Sequence, residues 1–234
     1  MVEPFDFERY WLSKFSGCLE QEAGAGVRDA VMAGSEFLSD ATPRDEVIAW
    51  SQGALERLAA RVDEASSRRI MAGCACQYGK EELQDVRAVY QATGNVAWAH
   101  ALLQERFEAM LVDSLKLEPS LVDEIVRRGW GLAGVLEGDT IIATKIPKSG
   151  FLVEYLDETD PAQKRAYYCH CPRVRDSLRT EQRLPVAYCY CGAGYYQSIW
   201  QEVLQRPVEV EVRQSVLQGD DVCTIAIYLS PRHS

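Results

Sequence analysis

Nowhere in the 234 residues does an apolar run approach the roughly 20 residues that a membrane-spanning helix needs. Positive charge is not in excess either. With 25 Lys and Arg against 35 Asp and Glu, the formal charge is −10, which argues against nucleic-acid binding driven by cations neutralising phosphates. The opening residues, Met1 to Arg9, have neither the basic flank nor the apolar core of a signal peptide. The expectation is a cytoplasmic chain with no membrane contact. Low-complexity tracts and internal repeats are absent, and a composition 47% hydrophobic and 26% charged excludes disorder and supports one large domain or two small ones.

Histidine is scarce, with three residues, but cysteine is not, with eight. In a reducing compartment, a chain of this length has no need of disulfide staples, so the cysteines point to metal, redox or nucleophilic chemistry. Seven of them are clustered: Cys74-Ala-Cys76, Cys169-His-Cys171, Cys189-Tyr-Cys191, and Cys223. At this frequency random placement yields about 0.3 such C-x-C pairs, so three call for an explanation. Cys18 stands apart on the apolar face of a helix and reads as a small buried hydrophobe.

Apolar positions recur at three and four through residues 1–135, which makes that region helical, while residues 136–234 read as an antiparallel sheet with one long helix, joined to the first region in one unit. The spacing predicts helices over 5–18, from Thr42-Pro43 (Thr42 capping) to 62, and over 64–73, 81–92, 95–114 and 119–129. The period changes to two near Thr140. Strands are expected at 140–146 and 151–156, joined as a hairpin, at 165–171, at 207–213 and at 222–229, with a helix over 192–205 between them. The fold class is α+β, with a mostly antiparallel sheet of about five strands.

On a strand, Cys169 and Cys171 share a face and His170 takes the other. Cys74 and Cys76 belong at a helix end, because mid-helix this spacing splays the sulfurs apart. Cys189 and Cys191 precede a helix whose free N–H groups favour thiolate. Thiolates bind zinc, and four such donors close a structural site. The donors Cys74, Cys76, Cys169, Cys171, Cys189, Cys191 and Cys223 exceed the need of one zinc, which leaves room for a second ion, an iron–sulfur cluster or a redox pair.

Charge is unevenly distributed. Residues 1–159 carry 16 basic against 27 acidic groups and residues 160–234 carry 9 against 8, with Lys164, Arg165, Arg173, Arg175, Arg179 and Arg183 gathered around one cysteine pair. Arg173 and Arg175, with Tyr195 and Trp200 on the following helix, are the candidate lining of a pocket for an apolar or mixed apolar and anionic small molecule. Gly192-Ala-Gly194 lacks the third glycine of a dinucleotide loop, and its small residues suit close packing of the helix start.

The order of Tyr188-Cys-Tyr-Cys-Gly-Ala-Gly194, Arg206-Pro-Val-Glu-Val210, Gly219-Asp220 and Cys223 resembles the vinyl-4-reductase-type small-molecule-binding domain, closest to C-x-C-rich prokaryotic relatives, over about 95 residues from Thr140 onward. The resemblance implies a helix-flanked antiparallel sheet around a hydrophobic ligand cavity, frequently dimeric and sometimes with zinc. Its zinc positions fall on Cys189, Val212, Ser215 and Cys223, so either Cys191 and one of the other C-x-C pairs supply the two middle donors or the protein binds something else. Because the wider group also resembles thiazoline-carboxylate hydrolases, a cysteine-dependent hydrolase using Cys191 stands beside the metal-bearing sensor, and a thiol redox protein beside both.

Overall fold

Four helices begin where a short acidic or amide side chain accepts from free backbone N–H groups, the cheapest way to satisfy donors that lack an intrahelical partner. Asp6 caps α1 (Phe7–Ala23), Asp63 caps α4 (Glu64–Gly73), Asn95 caps α6 (Val96–Asp113) and Asp160 caps α9 (Pro161–Tyr168). A computed structural model describes residues 5–230. Its other helices are α2 (Ala25–Met32), α3 (Arg44–Ala59), α5 (Gln84–Thr93), α7 (Pro119–Arg127), α8 (Leu152–Asp157), α10 (Pro172–Ser177) and α11 (Tyr190–Leu204). No helix among them is long and apolar enough to cross a membrane. Thr42 is not the cap of α3. Pro43 holds that position, and the Thr42 hydroxyl instead closes the preceding turn by accepting from Ser39 N.

The architecture is α+β. Strands β1 (Val135–Glu137), β2 (Thr140–Thr144), β3 (Glu209–Gln214) and β4 (Thr224–Tyr228) form an antiparallel sheet in the order β1-β2-β4-β3. In register, Ile142 sits opposite Ala226 and Val210 opposite Ile227. Ile141, Ala143, Ile225 and Ile227 are buried and join Trp11, Phe15, Ile48, Ile199 and Trp200 in one core cluster spanning the helical first half and the sheet-bearing second half.

Two expected strands are helical. Over 151–156 the chain forms a 3₁₀ turn and α8, because Leu152 and Tyr155, three apart, face inward while Val153 (69% exposed) and Leu156 (51%) face solvent. Over 165–171 it forms the end of α9, where Asp160 and Pro161 supply a cap and a first helical residue that outweigh the β propensity of two tyrosines. The hairpin partner of β2 is therefore β1, reached through Gly138 at φ +60, a conformation that favours glycine.

Two buried contacts fix the helices. At the first, α11 lies on the end of α4: a Cβ on Gly194 would stand 1.9 Å from Ala72 O, so only glycine permits the approach. The second is a charge cluster. Glu8 (1% exposed) accepts from Arg173 (0%) and, at 2.6 Å, from Arg44, which also donates to Asp176; Arg173 donates to the Tyr188 hydroxyl and lies 3.8 Å from the Trp11 ring centre. This ties α1, α3, α10 and the turn before α11 together.

Gly194→Ala is expected to lower stability by about 2 kcal/mol in chemical denaturation, although alanine is the better helix former. Gly17→Ala in α1, where nothing lies within 4 Å of the added carbon, is expected to be neutral or to stabilise by up to about 1 kcal/mol. Arg173→Met leaves Glu8 buried with one fewer partner and is expected to cost about 3–5 kcal/mol. Arg175→Met is expected to cost less than about 1 kcal/mol.

Candidate functional site

A cavity of about 650 Å³ lies between the sheet, α1, the α9–α10 linker and the start of α11. Six of the eight cysteines line it: Cys76, Cys169, Cys171, Cys189, Cys191 and Cys223. They arrive from four segments of chain, each with a local reason for its position. Cys169 and Cys171 flank the linker from α9 to α10, not a strand. Their backbone is nonetheless extended at both positions (ψ 129 and 121), and the whole Cys169-His-Cys171 segment reaches the cavity wall. Cys189 occupies the cap position of α11, Cys191 its first turn, and Cys223 the residue before β4.

Cys74 is placed elsewhere. It is the cap at the end of α4, as the spacing predicts for this pair, but its thiol donates to Ile70 O at 3.1 Å and lies outside the cavity lining. Cys76 lines the cavity and is exposed to solvent. Among the candidate pocket residues, Tyr195 lines the cavity, whereas Arg173, Arg175 and Trp200 do not. Arg173 is held by Glu8 and Tyr188, Arg175 lies over the Phe151 ring and beside Asp176, and Trp200 stacks on His100 in the core. Much of the basic segment serves the fold in the same way, Arg183 donating to the carbonyls that end α10 and Arg165 pairing with Asp221. His233 lies outside the described residues.

The cation that does face the thiols is Lys145, at the end of β2. Its backbone N–H donates to Cys223 O at 3.0 Å, its carbonyl accepts from the Tyr168 hydroxyl at 2.6 Å, and that hydroxyl accepts from Cys223 N at 3.0 Å. A Cβ on Gly192 would stand 2.5 Å from Lys145 Nζ, so the missing side chain there makes room for the ammonium at the start of α11. No carboxylate among the described residues pairs with it. Nothing in Ala143-Thr-Lys-Ile146 marks this lysine in sequence, because its role depends on β2 pairing with β4 next to Cys223.

Burial governs the protonation of the thiols. It pushes Cys189 and Cys191 up to about 12, Cys169 well above its ordinary range and Cys223 up as well; Lys145 opposes the rise at all four but does not overcome it. The helix start, expected to favour thiolate at Cys189 and Cys191, is outweighed by loss of water. Cys189 and Ser215 share a hydrogen bond of 2.9 Å, and the Cys171 thiol donates weakly to the Tyr188 hydroxyl at 3.9 Å. His170 is pushed down to about 4, chiefly by burial and further by Lys145, and its Nε2 meets Ile146 O at 2.8 Å, so it is neutral. Cys18 packs half-buried against the core, as its helix position predicts, but its thiol is shifted the other way from the cavity thiols. A hydrogen bond from Cys74 and the nearby Lys14 lower it to about 7 against the opposing effect of burial.

The arrangement is an apolar chamber of thiols and phenols, among them Tyr168, Tyr188, Tyr195 and Tyr196, with two lysines, Lys145 and Lys148, that no carboxylate among the described residues pairs. Among the described residues no three His, Cys, Asp or Glu side chains are gathered tightly enough to hold a metal ion as they stand. Metal ligation by this donor set thus requires the sulfurs to draw together and lose their protons.

Residues 159–233, about a third of the chain and the part bearing five of the six cavity cysteines, match a family of unknown function (DUF6144). No curated protein and no solved structure matches the chain.

Proposed function

We propose that the protein is a cytoplasmic small-molecule-binding protein of sensor type, whose chamber also takes a thiophilic metal, zinc before iron–sulfur, on Cys169, Cys171, Cys189, Cys191 and Cys223. The observation that carries this reading is the convergence of these five cysteines, from three separate segments, on one apolar cavity. When bound, zinc would act as a structural cross-link among thiolates, and a fourth position left open would let it respond to a ligand. The vinyl-4-reductase-type resemblance supports the same place: Val212 lines the cavity and Ser215 is bonded to Cys189, so its two middle positions fall beside the sulfurs.

The small molecule is apolar with one anionic end. Trp11, Phe107, Leu132, Ile146 and Ile225 offer its body a dry wall, and Lys145 offers a charge that no carboxylate among the described residues neutralises. A second reading, a cysteine-dependent hydrolase, has Cys191 in its favour, since it combines the first turn of a helix with a place on the cavity wall near Lys145. Its elevated pKa weakens it as a nucleophile until a neighbour removes the proton.

Protein purified without oxygen is expected to contain about one thiophilic metal or more per chain by elemental analysis. Zinc would leave it colourless and an iron–sulfur cluster would give visible absorption. Folded protein that is metal-free and takes up neither on reconstitution overturns the metal assignment. Because Cys169, Cys189, Cys191 and Cys223 are protonated near neutrality, each of them that ligates releases a proton, so affinity is expected to rise with pH by up to about tenfold per unit for every thiol ionised. In the hydrolase reading, Cys191→Ser abolishes turnover while metal content stays constant. In the metal reading, the same variant loses metal.

Lys145→Met is expected to weaken binding of an apolar carboxylate such as decanoate about tenfold, measured by displacement of anilinonaphthalene sulfonate, while leaving decanol binding unchanged.

A further inference from the structure

The two cysteines outside the cavity lie together. Cys18, half-buried on α1, places its sulfur against the backbone of Gly73 so closely that a Cβ there would stand 2.6 Å from it, and the next residue is Cys74. The Cys74 residue is 1% exposed, and its thiol donates to Ile70 O at 3.1 Å beside the Cys18 sulfur. The pair thus combines an accessible sulfur with a buried one, on two helices that pack directly against each other. The local charges are Lys14, one turn before Cys18, whose ammonium donates to Ala75 O, and Glu22, one turn after it, which is paired with Arg69 at 2.9 Å.

We propose that Cys18 and Cys74 form a thiol–disulfide exchange site that reduces small disulfides of the oxidised-glutathione type. Cys18 is the attacking sulfur because it is the less buried of the two, and the hydrogen bond from Cys74, reinforced by Lys14, favours its thiolate near neutral pH. Its electron pair forms a bond to one sulfur of the small disulfide RSSR. That S–S bond breaks, and RS⁻ leaves and is protonated. Cys74 then gives up its proton and attacks the Cys18 sulfur of the mixed disulfide, and a second RS⁻ leaves and takes up a proton. Two protein thiols are oxidised to one disulfide while RSSR is reduced to two RSH.

The product joins α1 to the end of α4, next to the point where Gly194 of α11 rests on Ala72. The site is separate from the sulfurs assigned to metal, and its chemistry stands or falls without that assignment.

The test is to add oxidised glutathione to the full-length reduced protein at neutral pH without oxygen, trap with N-ethylmaleimide and map the peptides by mass spectrometry. The expected product is a Cys18–Cys74 linked peptide with about two glutathiones released per chain. Cys74→Ala is expected to accumulate glutathione on Cys18, and Cys18→Ala to leave Cys74 unmodified. In the unaltered protein, iodoacetamide is expected to label Cys18 at least about tenfold faster than Cys189 or Cys191. Oxidation that joins the C-x-C pairs first and leaves Cys18 and Cys74 reduced overturns the proposal. So does a lasting glutathione adduct on Cys18 in the unaltered protein, or labelling of Cys18 no faster than the cavity thiols. Metal content unchanged by Cys18→Ala alongside any of these results would confine the failure to this pair.

Discussion

The first turns of α11 rest directly on the last turn of α4, glycine against carbonyl, and the cysteine chamber depends on that contact. Gly194 over Ala72 O sets the height of the helix. Two residues earlier, Gly192 leaves space for the Lys145 ammonium, and one residue earlier again Cys191 turns into the cavity. A larger residue at 194 would lift the helix start away from α4, and with it the wall carrying Cys189 and Cys191. The same contact brings the end of α4, with Cys74 and Cys76, against a segment more than a hundred residues further along the chain. Close packing is strict here because the obstacle is backbone, which has no rotamer to move to.

A second constraint is electrostatic. The chamber combines high burial with two lysines, Lys145 and Lys148, and burial prevails: Cys169, Cys189, Cys191 and Cys223 stay protonated, and His170 stays neutral. Buried charge elsewhere is tolerated only with partners, as at Glu8, where two guanidiniums hold one carboxylate and one of them lies over the Trp11 ring. Cys18, half-exposed and served by a hydrogen bond from Cys74, is instead shifted toward ionisation. At Cys189 and Cys191 the cost of taking a thiolate out of water dominates, whereas at Cys18 burial is only partial and the hydrogen bond to the charged form prevails.

Much of the helical half is legible from residue spacing. Glu64–Gly73 matches the expected helix, and α6 and α7 fall within one or two residues of theirs, because the caps Asp63 and Asn95 and the first helical residue Pro119 are local signals that tertiary packing leaves in place. The short elements were less so. Phe151-Leu-Val-Glu-Tyr-Leu156 satisfies both a two-residue and a three-residue period, and the choice was made by which side chains the neighbouring layer could cover. Val135–Glu137 is too short to show a period, and pairing with β2 alone makes it a strand.

The sequence by itself determined the α+β class, the clustering of seven cysteines, the helix end at Cys74, and the need for small residues at the start of α11, all of them consequences of local periodicity, capping and spacing. Only the tertiary structure decided which sulfurs meet. It brought five C-x-C cysteines and Cys223 to one cavity, sent Cys74 to Cys18, withdrew Arg173 into the core and supplied Lys145 from a strand with no motif. Contacts between residues far apart in the chain depend on how layers stack and on what burial does to a charge, and neither is carried by the spacing of residues along one segment.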